Sequence, residues 1–246
     1  MRITRFERGE FLDSYWDYQP GQHVSFVAPT QNGKTTWAFE LLKKTDLSWC
    51  DVPPTVLIAK PKDLILPQCL ESVGYREIDN WPPRKKLWDT EDPEGYGLWP
   101  KHVKDVHPSV NNEHLASIFR PAMREMFWKG NSLCFVDELY EICAVLGLNE
   151  ECTRHWTQGA GMGSALWTAT QKPSGTQQGS IPTFAWNSPT HFFFGRDNVA
   201  ANRKAFAEMG GSVDPNLISN TVMNLAKYEW LYVHKDGPYI GIIEAY

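Results

Sequence analysis

Three short stretches of this 246-residue chain carry residue types suited to holding phosphate and activating water. Residues 28–36 read Ala28-Pro29-Thr30-Gln31-Asn32-Gly33-Lys34-Thr35-Thr36 and fit a phosphate-binding loop, with Ala28 where the first glycine normally stands. The spacing has a chemical reason. Loop amides and the start of the following helix face the phosphates, Gly33 permits close approach, Lys34 reaches the β and γ phosphates, and the Thr35 hydroxyl can ligate Mg²⁺. Ala28 is tolerated if its φ stays negative, since only a left-handed conformation demands glycine. The apolar run 133–136 delivers Asp137 and Glu138 side by side. Asp137 would serve the Mg²⁺ shell, and Glu138 would act as general base on a water, so the second carboxylate points to hydrolysis rather than binding alone. A third run, 165–170, ends at Gln171 before Lys172 and Pro173. An amide there either bonds a γ-phosphate and the lytic water or simply caps a strand end.

The flanking sequence supplies elements that could bring these residues together. Residues 24–28 are a short apolar run leading into the loop, with a helix over 35–44 behind it. Residues 55–59 repeat the strand signature and 64–73 can return as a helix, giving a βαβ unit. Leu115, Ile118, Phe119, Ala122, Met123, Met126 and Phe127 recur at helical spacing behind Asn111 and Asn112, suitable caps, and Gly130 and Asn131 stop that helix. A strand over 132–136, a helix around 150–158 and strands over 165–170 and 191–194 continue the alternation. Runs at 228–234 and 239–243 flank Asp236 and Gly237 and predict a closing antiparallel hairpin at the sheet edge. The expected fold is α/β, a mostly parallel central sheet with helices on both faces.

Composition narrows the remaining choices. A net charge of -5 argues against coating nucleic acid by overall charge, so any such contact is local or built from several subunits. The five cysteines form no CxxC pair, which suggests neither a disulfide framework nor a zinc knuckle. No apolar run reaches the roughly 18–20 residues of a bilayer span, and the first residues lack a signal-type stretch, so a cytoplasmic protein is expected. Several of the eleven tryptophans fall between residues 80 and 108 with Pro82, Pro83, Pro93, Pro100 and Pro108. That segment reads as an irregular, anchored insertion at about 80–110 in a single domain, 1–246.

Taken in order, the phosphate loop, the strand ending Asp137-Glu138 and the strand ending 169–173 (Ala-Thr-Gln-Lys-Pro) resemble the FtsK/HerA superfamily of DNA-pumping ATPases, whose third element commonly reads Thr-Gln-Arg-Pro. The resemblance spans about residues 21–196. It implies a RecA-like (ASCE) P-loop core with an extra strand between the phosphate-loop strand and the Asp-Glu strand. It also implies ATP and Mg²⁺ as ligands, and a homo-oligomeric ring, hexamer or pentamer, with nucleotide between neighbours. The short chain is more like the viral and plasmid packaging or transfer ATPases, which work on double-stranded DNA with a portal or DNA-recruiting protein. Family members often carry an arginine just before the third strand, for use across the subunit interface. Residues 158–164 contain none. Arg154 and Arg196 are the substitutes, each either a finger or a surface ion-pair residue. Arg84-Lys85-Lys86, Lys101, Lys104 and the loop 172–180 are candidate DNA contacts or a solvated face. An ATPase of the same fold acting on protein cargo is the competing function. A small-molecule kinase fits less well, because it must exclude the water that Glu138 would activate.

Overall fold

Alternate residues of the central strands are buried on opposite faces, which requires a helix layer on each side of the sheet. In the computed structural model, which describes residues 3–84, 93–171, 183–235, 237 and 239–245, the chain begins with β1 (Thr4–Phe6), α1 (Arg8–Glu10), β2 (Val24–Val27), α2 (Lys34–Lys44), β3 (Val52–Leu57) and α3 (Leu66–Ser72). It continues through β4 (Tyr75–Ile78), β5 (Gly95–Leu98), α4 (Pro108–Lys129), β6 (Ser132–Val136), α5 (Asn149–Arg154) and β7 (Ser164–Thr170). It ends with α6 (Phe184–Asn187), β8 (His191–Gly195), α7 (Ala200–Met209), α8 (Pro215–Asn224), β9 (Trp230–His234) and β10 (Ile240–Ile243).

These strands form one sheet in the order β1-β10-β9-β8-β2-β7-β6-β3-β5-β4. From β8 to β4 all neighbours are parallel. β9 is antiparallel to β8 and β10, and β1 pairs parallel with β10. The expected α/β class and RecA-like plan are present, and β7 is the strand that separates β2 from β6. Phe26, Leu133, Phe135, Trp167 and Phe193 pack with Trp37, Leu41 and Leu42 of α2 and Leu66 and Leu70 of α3. Val27, Cys134, Val136, Leu166, Phe192 and Phe194 pack on the other face with α4, α7 and α8. No helix among the described residues is long and apolar enough to cross a membrane.

Three expectations are corrected. The 80–110 stretch is not wholly irregular, because β5 lies within it and pairs between β3 and β4. α4 starts at Pro108 with His107 as its cap, accepting from Ser109 N. Asn111 instead clamps Val103, accepting from its N at 2.7 Å and donating to its O at 2.9 Å. The hairpin forms, but β1 covers its outer strand and takes the edge. Asp236 and Pro238 of its turn lie outside the described residues, as do Lys85, Lys86 and 172–182.

Candidate active site

The register sets the strand tips side by side. Val27 is level with Thr170 on β7 and with Phe194 on β8. Ala28 extends the ladder, its N donating to Thr170 O at 3.2 Å, before residues 29–33 turn the chain into α2. Gly33 caps that helix with φ +79, a left-handed conformation cheap only for glycine. Ala28 is not among the non-glycine residues with positive φ, which meets the condition for alanine at that place. Its buried methyl is accommodated by Gly195 at the end of β8, where an added Cβ would stand 2.6 Å from Ala28 Cβ.

Lys34 folds back over the loop, its Nζ donating to Ala28 O at 2.7 Å and to Pro29 O at 3.0 Å. Burial lowers its pKa to about 8, against the opposing pull of Glu138 and Asp137. Thr35 Oγ1 donates to Asp137 Oδ1 at 2.6 Å, and Asp137 itself is only 3% exposed. Glu138 Oε2 accepts from Gln171 Nε2 at 3.1 Å, while Gln171 Oε1 accepts from Thr30 Oγ1 at 3.3 Å. The tips of β2, β6 and β7 are thus joined by side-chain bonds. Burial raises the Glu138 pKa, opposed by Gln171 and Lys34, and a carboxylate shifted upward is better matched to accepting a proton near neutral pH.

No protein-family model matches the sequence, and no curated protein matches it. Solved structures do match in fold. The genome packaging NTPase B204 from Sulfolobus turreted icosahedral virus 2, in complex with sulfate, superposes with a TM-score of 0.61 at 11% identity over 93% of this chain and 98% of that one. The DNA-packaging ATPase B204 of Sulfolobus turreted icosahedral virus gives 0.58 at 12% identity, over 93% and 100%. The pCW3 conjugation coupling protein TcpA, solved with ATPgS, gives 0.50 at 13% identity over 99% and 69%. The chain has the P-loop ATPase fold.

Within that fold, Thr35 Oγ1 and Asp137 Oδ1 are hard oxygen donors at one point beside Lys34. Such a pair fits Mg²⁺, which takes one or two protein ligands and completes its octahedron with water and phosphate. Lys60 is the residue that sequence reasoning missed. It follows β3 and donates through Nζ to Asp137 Oδ2 at 2.6 Å and to Asp63 Oδ2 at 3.3 Å. The Trp/Pro-rich stretch holds it there, with Trp99 Nε1 donating to Lys60 O at 2.6 Å and His102 Nε2 bonded to Ala59 O at 2.9 Å. A lysine closing the apolar run 55–59 was the available signal.

The two arginines stand apart from Glu138. Arg154 pairs with Glu150 at 2.5 Å, one helical turn away on exposed surface. Arg196 is exposed after β8, and its O accepts from Asn32 Nδ2 at 3.3 Å, on the flank of β2 opposite β7 and β6. Arg84, Lys101 and Lys104 are exposed; the other basic candidates, Lys85, Lys86 and 172–180, lie outside the described residues.

Proposed function

We propose that this chain is an ATP-hydrolysing motor that translocates double-stranded DNA during packaging or transfer, working as a ring of identical subunits, hexameric or pentameric. The observation that carries the reading is the Thr30-Gln171-Glu138 bridge, which sets the Glu138 carboxylate beside loop 28–36. Solved structures of the same fold support it: a genome packaging NTPase in complex with AMPPCP or ATP-gammaS, and a conjugation coupling protein with ATPgS.

Lys34 leaves the Ala28 and Pro29 carbonyls to carry its charge onto the β and γ phosphates. Thr35 and Asp137 would hold Mg²⁺, which when bound neutralises charge on those phosphates. Glu138 accepts a proton from the water that attacks the γ-phosphorus in line, and the Gln171 amide orients that water. A trans arginine from a neighbour, Arg154 or Arg196, would stabilise the developing charge. Exposed Arg84, Lys101 and Lys104, repeated around a ring, would give sequence-independent phosphate contacts.

ATP turnover measured with and without linear duplex DNA, at two salt concentrations, tests this reading. Stimulation that fades as salt rises is expected, and indifference to DNA favours the protein-cargo motor instead. Glu138→Gln should bind ATP yet lose roughly 10²–10⁴-fold in turnover, as general-base deletions do. Lys34→Ala should lose nucleotide affinity. Retained turnover in Glu138→Gln would remove Glu138 from the role of base.

A further inference from the structure

We infer that Tyr228 is the nucleobase-stacking residue of the site, an inference that rests on a nucleoside triphosphate lying along loop 28–36. Tyr228 belongs to the turn between α8 and β9, and its ring edge lies on the phosphate loop. A Cβ added to Gly33 would stand 3.3 Å from Tyr228 Cδ1. The residue is nevertheless 39% exposed, so it is open to solvent beside the loop.

The backbone there is held in a costly conformation. Tyr228 has φ +70, in the region that bulky side chains avoid, and such strain persists only where the surroundings over-determine it. They do so here. Buried Glu229 accepts from Ala226 N at 2.7 Å and is bound by Arg5. Arg8 Nη2 donates to Tyr228 O at 3.1 Å. The same guanidinium pairs with Glu40 at 3.2 Å and lies 4.7 Å from the ring centre of Trp37, both on α2. The turn is therefore fastened to the helix whose amino terminus would meet the phosphates, which holds the Tyr228 backbone beside the loop.

The flank decides the ligand. Glu138 and Gln171 mark where the terminal phosphate would lie, on the β6 and β7 side of β2. The nucleoside then leaves the loop on the other side, toward β8 and β9, where Tyr228 stands. Lys227 Nζ lies over the Tyr228 ring, 4.7 Å from its centre, in a cation–π contact. Stacking of this kind tolerates any base, because every base has a π-face, and purines offer the larger one.

The test separates base from phosphates. Dissociation constants for ATP and for inorganic tripolyphosphate are measured by calorimetry on the full chain, in wild type, Tyr228→Gly, Tyr228→Phe and Lys34→Ala. Glycine accepts the positive φ, so Tyr228→Gly removes the ring without new strain. The expected result is ATP binding about ten-fold or more weaker in Tyr228→Gly, the usual range for one lost stack. Tripolyphosphate binding should be unchanged, and Tyr228→Phe should bind ATP as wild type does. Equal weakening of both ligands, or no weakening of ATP, would overturn the stacking role and leave Tyr228 as a packing residue for Gly33. Wild type that binds neither ligand, or Lys34→Ala that binds both normally, would instead bring down the phosphate-loop reading and this inference with it.

Discussion

Asp137 shows how much one buried carboxylate can organise. Its two oxygens are each claimed at 2.6 Å, Oδ1 by the Thr35 hydroxyl and Oδ2 by the Lys60 ammonium. A carboxylate this buried needs such partners, because an uncompensated charge away from water costs several kcal/mol, on the order found when one member of a buried pair is deleted. Lys60 is 36% exposed, so solvent screens part of its side of the pair. Lys60→Met, which keeps most of the stem, is therefore expected to destabilise the chain by about 1–3 kcal/mol, the range for a charge-assisted bond lost on one side only. Its second signature is electrostatic. Removing a cation 2.6 Å from the carboxylate should let added Mg²⁺ without nucleotide raise the thermal midpoint of Lys60→Met more than that of wild type. Equal midpoint shifts in the two proteins would mean that Lys60 and Mg²⁺ do not compete for the same charge.

At the scale of elements, the phosphate loop is shaped by its neighbour as well as by its own residues. Alanine at position 28 brings a methyl that a first glycine would lack, and β8 makes room with Gly195. In Gly195→Ala the new Cβ would meet Ala28 Cβ at 2.6 Å and Asn32 Nδ2 at 2.7 Å, both on the loop. Overpacking of this kind costs about 1–3 kcal/mol, and displacing the loop by even a few tenths of an ångström should weaken ATP binding roughly ten-fold. Ala28→Gly in the same chain removes one of the two clashing groups and should recover most of the loss, which titration of ATP on the single and double variants would measure. The sequence made the loop and its strands legible because β2, β6 and β7 are local apolar runs, the last two ending in polar residues. It did not reveal Lys60, whose role depends on β3 lying beside β6, a pairing between Leu57 and Val136 far apart in the chain. β5 escaped because its four residues include Gly95 and Gly97, which carry no strand preference. α8 had a readable start, Asp214 accepting from Asn216 N with Pro215 behind it, so that omission was a missed signal rather than a hidden one.

The whole molecule divides its polar chemistry between two ends of the sheet. The candidate site occupies the carboxyl ends of the strands, whereas three buried imidazoles lie at the opposite end, where β2, β7 and β8 begin. His23 Nδ1 accepts from Leu166 N at 2.9 Å. His155 Nε2 donates to Met123 O at 3.1 Å, leaving Nδ1 to accept from Ser164 Oγ at 3.0 Å. His191 bonds Tyr232 Oη at 2.9 Å through Nδ1 and Gln22 Oε1 at 2.8 Å through Nε2. Burial is the main reason that their pKa values fall from 6.5, to about 3 for His23 and His191 and about 4 for His155. Because each folded value lies below the unfolded one, the unfolded chain binds protons at pH 5 that the folded chain refuses. The stability that these neutral rings contribute is complete above about pH 6.5 and drains away as pH falls through 4 toward 3. Unfolding at pH 5 should take up about three protons through these rings, so the urea midpoint should drop between pH 7 and pH 5 with an unchanged slope. His155→Asn can bond the same two partners but cannot titrate, and it should lower the proton uptake by about one. An uptake at pH 5 that is the same in wild type and His155→Asn would show that this ring already carries its proton in the folded chain, and that the sheet end opposite the site is open to water.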